Sequence, residues 1–311
     1  MRNKIFFIGA IIIVLIFLGL TRNQISFSAP LVASSSVLDK DYSSDEIDNI
    51  SSIAKPIIIG QEPNPEISAN SYLVIDHNTR SPIVTKNAGE KLYIGSLTKL
   101  MTAVVALESG NLNDVVRVEI NPISIPEYRM ELFRGEEISL ESLLYGILIK
   151  SANDAAEITA LHVGGGDYNT FISMMNEKAQ EIGMWNTHFS NAMGIDNEEN
   201  YSTAQDLAFL ASYALKNSFI AEAVQIKEKR VYSADSVVTH YLLSTNKLLF
   251  DEELSVFGLK TGTTPMAGEC LITLAQNKNG NEIITVLLGS NARFAEAKEL
   301  IEWTFKNVEW H

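Results

Sequence analysis

Three short motifs carry residue types that could perform nucleophilic chemistry. The first is Ser96-Leu97-Thr98-Lys99. On a helix, a three-residue offset places two side chains on one face, one turn apart. A serine hydroxyl is a poor nucleophile at neutral pH, and a neighbouring neutral amine can take its proton. A helix that starts at Ser96 also aims backbone N–H groups at negative charge developing there. The second motif is Ser151-Ala152-Asn153, where a hydroxyl can relay a proton and an amide can hold a substrate amide or orient a lysine. The third is Lys260-Thr261-Gly262. Placed at the end of a strand, it offers an edge to an extended peptide, and Gly262 leaves room for close approach. The Lys260 ammonium can attract a terminal carboxylate and can keep Lys99 neutral, because two close cations disfavour each other.

Each motif needs an element to place it. Leu97, Leu100, Met101, Val104 and Val105 keep the spacing of one helix face, and Gly110 closes that helix. Leu140, Leu143, Leu144, Ile147 and Leu148 repeat the pattern just before Ser151. Phe171 to Ile182 and Thr203 to Leu215 also read as helices, and Ala295 to Val308 as a closing one. Strand candidates are Tyr72–Asp76 and Ile83–Thr85 early, then Val237–Leu243, Ser255–Leu259, Cys270–Ala275 and Glu282–Gly289 late. Early strands, a helical middle and late strands give an α+β class with one mostly antiparallel sheet. S-x-x-K occurs three times (Ser52–Lys55, Ser96–Lys99, Ser244–Lys247), and so does S-x-N (Ser68–Asn70, Ser151–Asn153, Ser244–Asn246). Only Ser96, Ser151 and Lys260 run in order on helix start, helix junction and strand end.

Composition narrows the chemistry. The chain has 311 residues, 46% of them hydrophobic, enough for a buried core in one large domain or two small ones. With 38 acidic against 24 basic residues the net charge is −14, which repels a phosphate backbone and excludes nucleic acid as a natural partner. Cys270 is the single cysteine, so no internal disulfide and no cysteine-based metal centre can form. The five histidines include neither H-x-H nor H-E-x-x-H, which argues against a metal hydrolase; no cofactor is expected. His162, His188 and His240 read as packing or turn residues, Met174–Met175 as core, Cys270 as an inert buried thiol and Asp206 as a cap or pair within its helix.

Residues 5–20 form an uncharged apolar run preceded by Arg2 and Lys4. At about 1.5 Å per residue it spans roughly 24 Å, against a roughly 30 Å hydrocarbon core. An uncleaved anchor is the first reading, a cleaved signal the second; both put the rest outside the cytoplasmic membrane. Residues 1–24 are thus expected to be a membrane anchor or a signal segment. Residues 25–67, with DKDYSSDEIDN and EPNPE, read as an acidic tether, apart from a possible short strand at Ile57–Ile59. The globular domain is expected over 68–311.

The three motifs together resemble the serine penicillin-recognising enzymes, and most closely the D-alanyl-D-alanine carboxypeptidases, the low-molecular-mass penicillin-binding proteins. ANSYLVIDHNTRSPIVTKNAGEKLYIGSLTKLMTAVVALE resembles the family's opening strand pair and nucleophile helix, LESLLYGILIKSANDAAEITA its second motif, and LKTGTTPMAGECLITLA its third. The resemblance implies a β-lactamase/transpeptidase-like fold, a sheet flanked by helices with an all-helical lobe. It implies Ser96 as acylated nucleophile, Lys99 as base, Ser151 as proton relay, and Asn153, Lys260, Thr261 and Thr263 as substrate-binding residues. Backbone N–H groups of Ser96 and Thr263 would form the oxyanion hole, while Arg293 reads first as a surface ion pair, with help to the carboxylate as the alternative. The implied activity is trimming of peptidoglycan stem peptides, with β-lactams as covalent inhibitors. A D,D-endopeptidase and a catalytically disabled binding module are the alternatives. Many members add a β-rich carboxyl domain and an amphipathic anchor; with His311 as the last residue, the amino-terminal segment is expected to be the anchor. The E-x-x-L-N of class A β-lactamases is missing between Ser151 and Lys260, against a β-lactamase.

Overall fold

Short apolar strand runs and helical stripes sort this chain into a central sheet with helices on both faces. The computed structural model describes residues 55–125 and 128–311. The membrane segment and most of the tether expected from the sequence lie outside the described residues. β1 (Ile57–Ile58) comes first, then the hairpin β2 (Ser71–Asp76) and β3 (Pro82–Lys86), then β4 (Leu92–Tyr93). A 3-10 turn at Gly95–Leu97 runs into α1 (Thr98–Ser109). The helical lobe follows. β5 (Val115–Arg117) and β6 (Glu137–Ser139) pair before α2 (Leu140–Ile149), whose cap Ser139 accepts from Ser142 N–H. α3 (Asn153–Val163), α4 (Tyr168–Glu181), β7 (Tyr201–Ser202), α5 (Ala204–Ala214) and α6 (Ser218–Ala223) complete it. The ribbon β8 (Glu228–Tyr232) and β9 (Thr239–Leu243) leads back to β10 (Val256–Thr264), β11 (Gly268–Gln276) and β12 (Glu282–Ser290). α7 (Arg293–Asn307) and β13 (Val308–Glu309) close the chain.

The main sheet has the order β10-β11-β12-β2-β3, every neighbouring pair antiparallel. Its alternation feeds two cores. Leu73, Ile75, Ile272, Ile284 and Val286 face the helical lobe, with Leu97, Leu100 and Met101 of the segment that follows Ser96. Tyr72, Val74, Leu271, Ile283 and Leu287 face α7, against Ala297, Leu300 and Ile301. Each fully buried Leu or Ile here contributes about 1.5–3 kcal/mol relative to exposure. Burial on both faces explains why these strands read as nearly continuous apolar runs.

Two expectations change. The folded body does not begin at Ser68: β1 pairs with β13, and Ile59 and Gly60 N–H groups donate to the Asn307 carbonyl. The third motif does not end its strand: β10 continues to Thr264, and Thr261, Gly262 and Thr263 pair with Leu271, Cys270 and Glu269. The polar Lys-Thr-Gly-Thr run masked that continuation, because its backbone partners rather than its side chains hold it in the sheet.

Candidate active site

A glycine seam brings the first and third motifs into contact. Gly95 adopts φ +53°, in the left-handed region that favours glycine, and a Cβ there would stand 3.2 Å from Thr263 N. A Cβ on Gly262 would stand 2.7 Å from the Ile94 carbonyl and 3.1 Å from Ser96 N. The space Gly262 was expected to leave for a substrate is therefore taken by the turn that leads into α1. β10 is an edge strand of the main sheet, and its outer side meets this turn. Ser96 and Thr263 both line the same cleft.

Lys99 is fully buried on α1, and its Nζ lies 2.8 Å from Ser96 Oγ. It donates to the Met193 carbonyl at 2.5 Å. That carbonyl is held by a turn in which Asn191 Oδ1 accepts from Gly194 and Ile195 N–H groups. Burial pushes the Lys99 amine well below its ordinary range; the Lys260 charge adds to this and Asp154 opposes it. One N–H can thus hold Met193 while the lone pair of the neutral amine faces the Ser96 hydroxyl.

Ser151 follows α2 in the left-handed region at φ +60°, a sparsely populated conformation for a residue with a side chain. Its Oγ accepts from Lys260 Nζ at 2.7 Å, and Lys260 also donates to the Thr261 carbonyl at 2.9 Å. Lys260 is buried, and burial followed by the Arg293 charge brings its pKa down to about 7. Thr261 and Thr245 hydroxyls lie 2.6 Å apart. Arg293 donates to the Gly262 carbonyl at 2.7 Å and to Thr263 Oγ1. It makes no ion pair among the described residues, so the expected surface pairing gives way to a place at the cleft.

Ser96, Ser151, Thr261, Gly262, Thr263 and Arg293 line one cleft with Tyr128 and Thr245. Lys99 and Lys260 lie beneath it, each reaching it through the serine it contacts. Asn153 is set back at the start of α3, where its N–H donates to the Tyr128 carbonyl at 2.6 Å. Sequence reasoning missed Tyr128 and Thr245. Thr245 sits inside the Ser244–Asn246 copy of S-x-N, which reaches the cleft as a wall.

The remaining residues singled out by sequence sit as follows. Cys270 is buried on β11 and burial raises its thiol to about 11. His162 meets Asp114, and His188 meets the Glu199 carbonyl. Asp206 reaches outside its helix, accepting from Asn186 N and Thr187 Oγ1, while Thr203 caps α5. Among the described residues, no three His, Cys, Asp or Glu side chains are grouped to hold a metal ion. None of the described helices is long and apolar enough to cross a membrane.

The family model of the D-alanyl-D-alanine carboxypeptidases matches residues 59–292. The D-alanyl-D-alanine carboxypeptidase DacA of Haemophilus influenzae is 30% identical over 258 residues, covering 79% of this chain and 64% of that one. The chain therefore spans less than two thirds of that relative's length. The D-alanyl-D-alanine carboxypeptidase of Streptomyces sp. strain K15 is 32% identical, covering 78% of this chain and 88% of that one. The D-alanyl-D-alanine endopeptidase of Escherichia coli is 32% identical over 81% of this chain and 82% of its own length. Among solved structures, the Streptomyces K15 DD-transpeptidase superposes with a TM-score of 0.73 at 30% identity, covering 79% of this chain and all of that one. The three motifs share their cleft within the span of that match, and the chain belongs to the D-alanyl-D-alanine carboxypeptidase family.

Proposed function

We propose that this chain is a serine D,D-carboxypeptidase that removes the terminal D-alanine from peptidoglycan stem pentapeptides. The observation that carries this reading is the buried Lys99 amine 2.8 Å from Ser96 Oγ, in surroundings that favour its neutral form. Lys99 takes the Ser96 proton as Oγ attacks the carbonyl between the two D-alanines. Ser96 and Thr263 N–H groups hold the oxyanion. Ser151, hydrogen-bonded to Lys260, relays the proton taken by Lys99 to the leaving amine, which restores the neutral lysine, and Asn153 holds the substrate amide. Lys260, Thr261, Thr263 and Arg293 receive the leaving residue's carboxylate, whose charge favours the ammonium form of Lys260. Water then hydrolyses the ester on Ser96. A β-lactam, which mimics the D-alanyl-D-alanine end, would acylate the same hydroxyl.

Digestion of purified muropeptides followed by mass spectrometry tests the reaction. Monomeric pentapeptides should lose D-alanine while cross-linked dimers persist. The second reading is a D,D-endopeptidase, favoured by the Escherichia coli endopeptidase, which this chain matches over 82% of that relative's length. Dimers converted to monomers, with pentapeptides untouched, would establish that reading instead. Penicillin labelling without turnover of either substrate would indicate a binding module.

The cationic residues ahead of the apolar run at 5–20 support a membrane-anchored protein whose catalytic domain lies outside the cytoplasmic membrane. Protease added to intact spheroplasts should degrade the domain; full protection would contradict export.

A further inference from the structure

His240 lies on β9, buried and outside the cleft, yet it bridges two acceptors. Its Nδ1 is 2.8 Å from the Met130 carbonyl and its Nε2 is 2.6 Å from Glu136 Oε1. A carbonyl and an ionised carboxylate each accept an N–H, so with Glu136 ionised the ring carries protons on both nitrogens. Burial disfavours that charge, but the Glu136 hydrogen bond and charge, the Met130 carbonyl and Asp154 outweigh it and raise the pKa. Glu136 and Asp154 are the two charged side chains acting on the ring.

The segment that His240 grips is unusual. Tyr128 and Glu131 both sit in the left-handed region, at φ 60° and 69°. Such backbone persists only where its surroundings over-determine it. Asp154, next to the second motif, accepts from Met130 and Leu132 N–H groups at 3.0 and 3.1 Å. Glu136 Oε2 accepts from Phe133 N at 3.2 Å. At the segment's start, Tyr128 lines the cleft and its carbonyl accepts from Asn153 N.

We propose that His240 is a positioning residue whose doubly protonated ring staples residues 128–133 to β9, fixing Tyr128 on the cleft wall and, through the Tyr128 carbonyl, the start of α3 at Asn153. This inference rests on the proposed reaction for its kinetic readout. Ser96 and Lys99 are held separately, through Met193, so loss of the staple should weaken binding rather than attack.

Glu136→Gln separates position from charge. In that variant a neutral His240 can keep Nδ1–H on Met130 and accept at Nε2 from the new side-chain amide, whose oxygen remains for Phe133 N–H. His240→Gln can reach only one of its two partners, and Glu136→Ala removes one anchor. With an acylated lysyl-D-alanyl-D-alanine tripeptide, His240→Gln and Glu136→Ala should raise KM about tenfold with kcat within about threefold, and Glu136→Gln should restore KM most of the way. A folded His240→Gln with unchanged KM would overturn the proposal. So would a fall in kcat alone, the mark of fewer correctly folded molecules. If His240→Gln fails to fold, equal KM values for Glu136→Ala and Glu136→Gln overturn it. Amide hydrogen exchange of residues 128–132 needs no substrate: exchange should quicken in His240→Gln and Glu136→Ala but not in Glu136→Gln. Unchanged exchange sinks the staple even if turnover is normal, whereas quickened exchange in a protein without turnover sinks only the reaction.

Discussion

Gly262→Ala should slow acylation of Ser96 without unfolding the protein. Gly262 has no positive φ, so the new methyl meets a spacing problem and no torsional one. Its Cβ would stand 2.7 Å from Ile94 O, 3.1 Å from Ser96 N and 3.2 Å from Leu97 N, all backbone atoms. Comfortable contact begins at about 3.5 Å, so β10 and the Ser96 turn must part by about 0.5–0.8 Å. A misplacement of about 1 Å can cost about 100-fold in rate, so a loss of about 10- to 50-fold is expected. Overpacking adds about 1–3 kcal/mol of destabilisation, and therefore a Tm drop of about 2–10 °C in a domain of this size. The assay is the second-order rate of fluorescent penicillin labelling, paired with thermal unfolding. Gly89→Ala is the control, because a Cβ there meets nothing within 4 Å. A folded Gly262→Ala that acylates within about twofold of wild type would show that the strand-to-turn spacing does not set the attack geometry.

Lys99→Arg should lose about 1000-fold or more in acylation, since a guanidinium keeps its proton in the working range; substantial turnover would refute the base role. The pH dependence follows from the two lysines. With Lys260 near 7 in the empty site, its charge is full below that pH and fades above it, so KM for a carboxylate-ended peptide should rise through neutral pH. Arg293→Ala removes a charge that depresses Lys260, so this rise should move to higher pH; an unmoved profile would contradict that coupling. Cys270, buried with its thiol raised to about 11, should resist iodoacetamide at pH 8 in the folded protein and react in denaturant; rapid native labelling would show that β11 opens.

Much of the fold was legible because burial writes periodicity. The Leu97–Val105 stripe gave α1, and Leu140–Leu148 gave α2, each with its buried face. α3 was not legible: NDAAEITALHV is rich in small residues and packs on several neighbours, so no stripe stands out. β8 was missed because EKRVY presents charged residues on its exposed face and buries only Val231 well. At the site, the motif residues came together as their order suggested. The left-handed backbone of Ser151, the Met193 carbonyl on Lys99 and the wall made by Tyr128 and Thr245 depend on contacts distant in the chain. Local residue types do not encode them.

Lys260 is buried with no carboxylate partner among the described residues, held by a hydroxyl and a carbonyl. Its folded pKa near 7 lies below the roughly 10.4 of an unfolded lysine, so folding expels its proton between those values. The resulting cost to stability, on the order of 4 kcal/mol, is complete below pH 7 and vanishes as pH rises towards 10. An anion entering the cleft reverses that expulsion. Above neutral pH, proton and carboxylate should therefore arrive together, as a thermodynamically coupled pair. The heat of binding a small carboxylate should then vary with the buffer's own ionisation enthalpy, because the ligand draws a proton from the buffer onto the buried lysine.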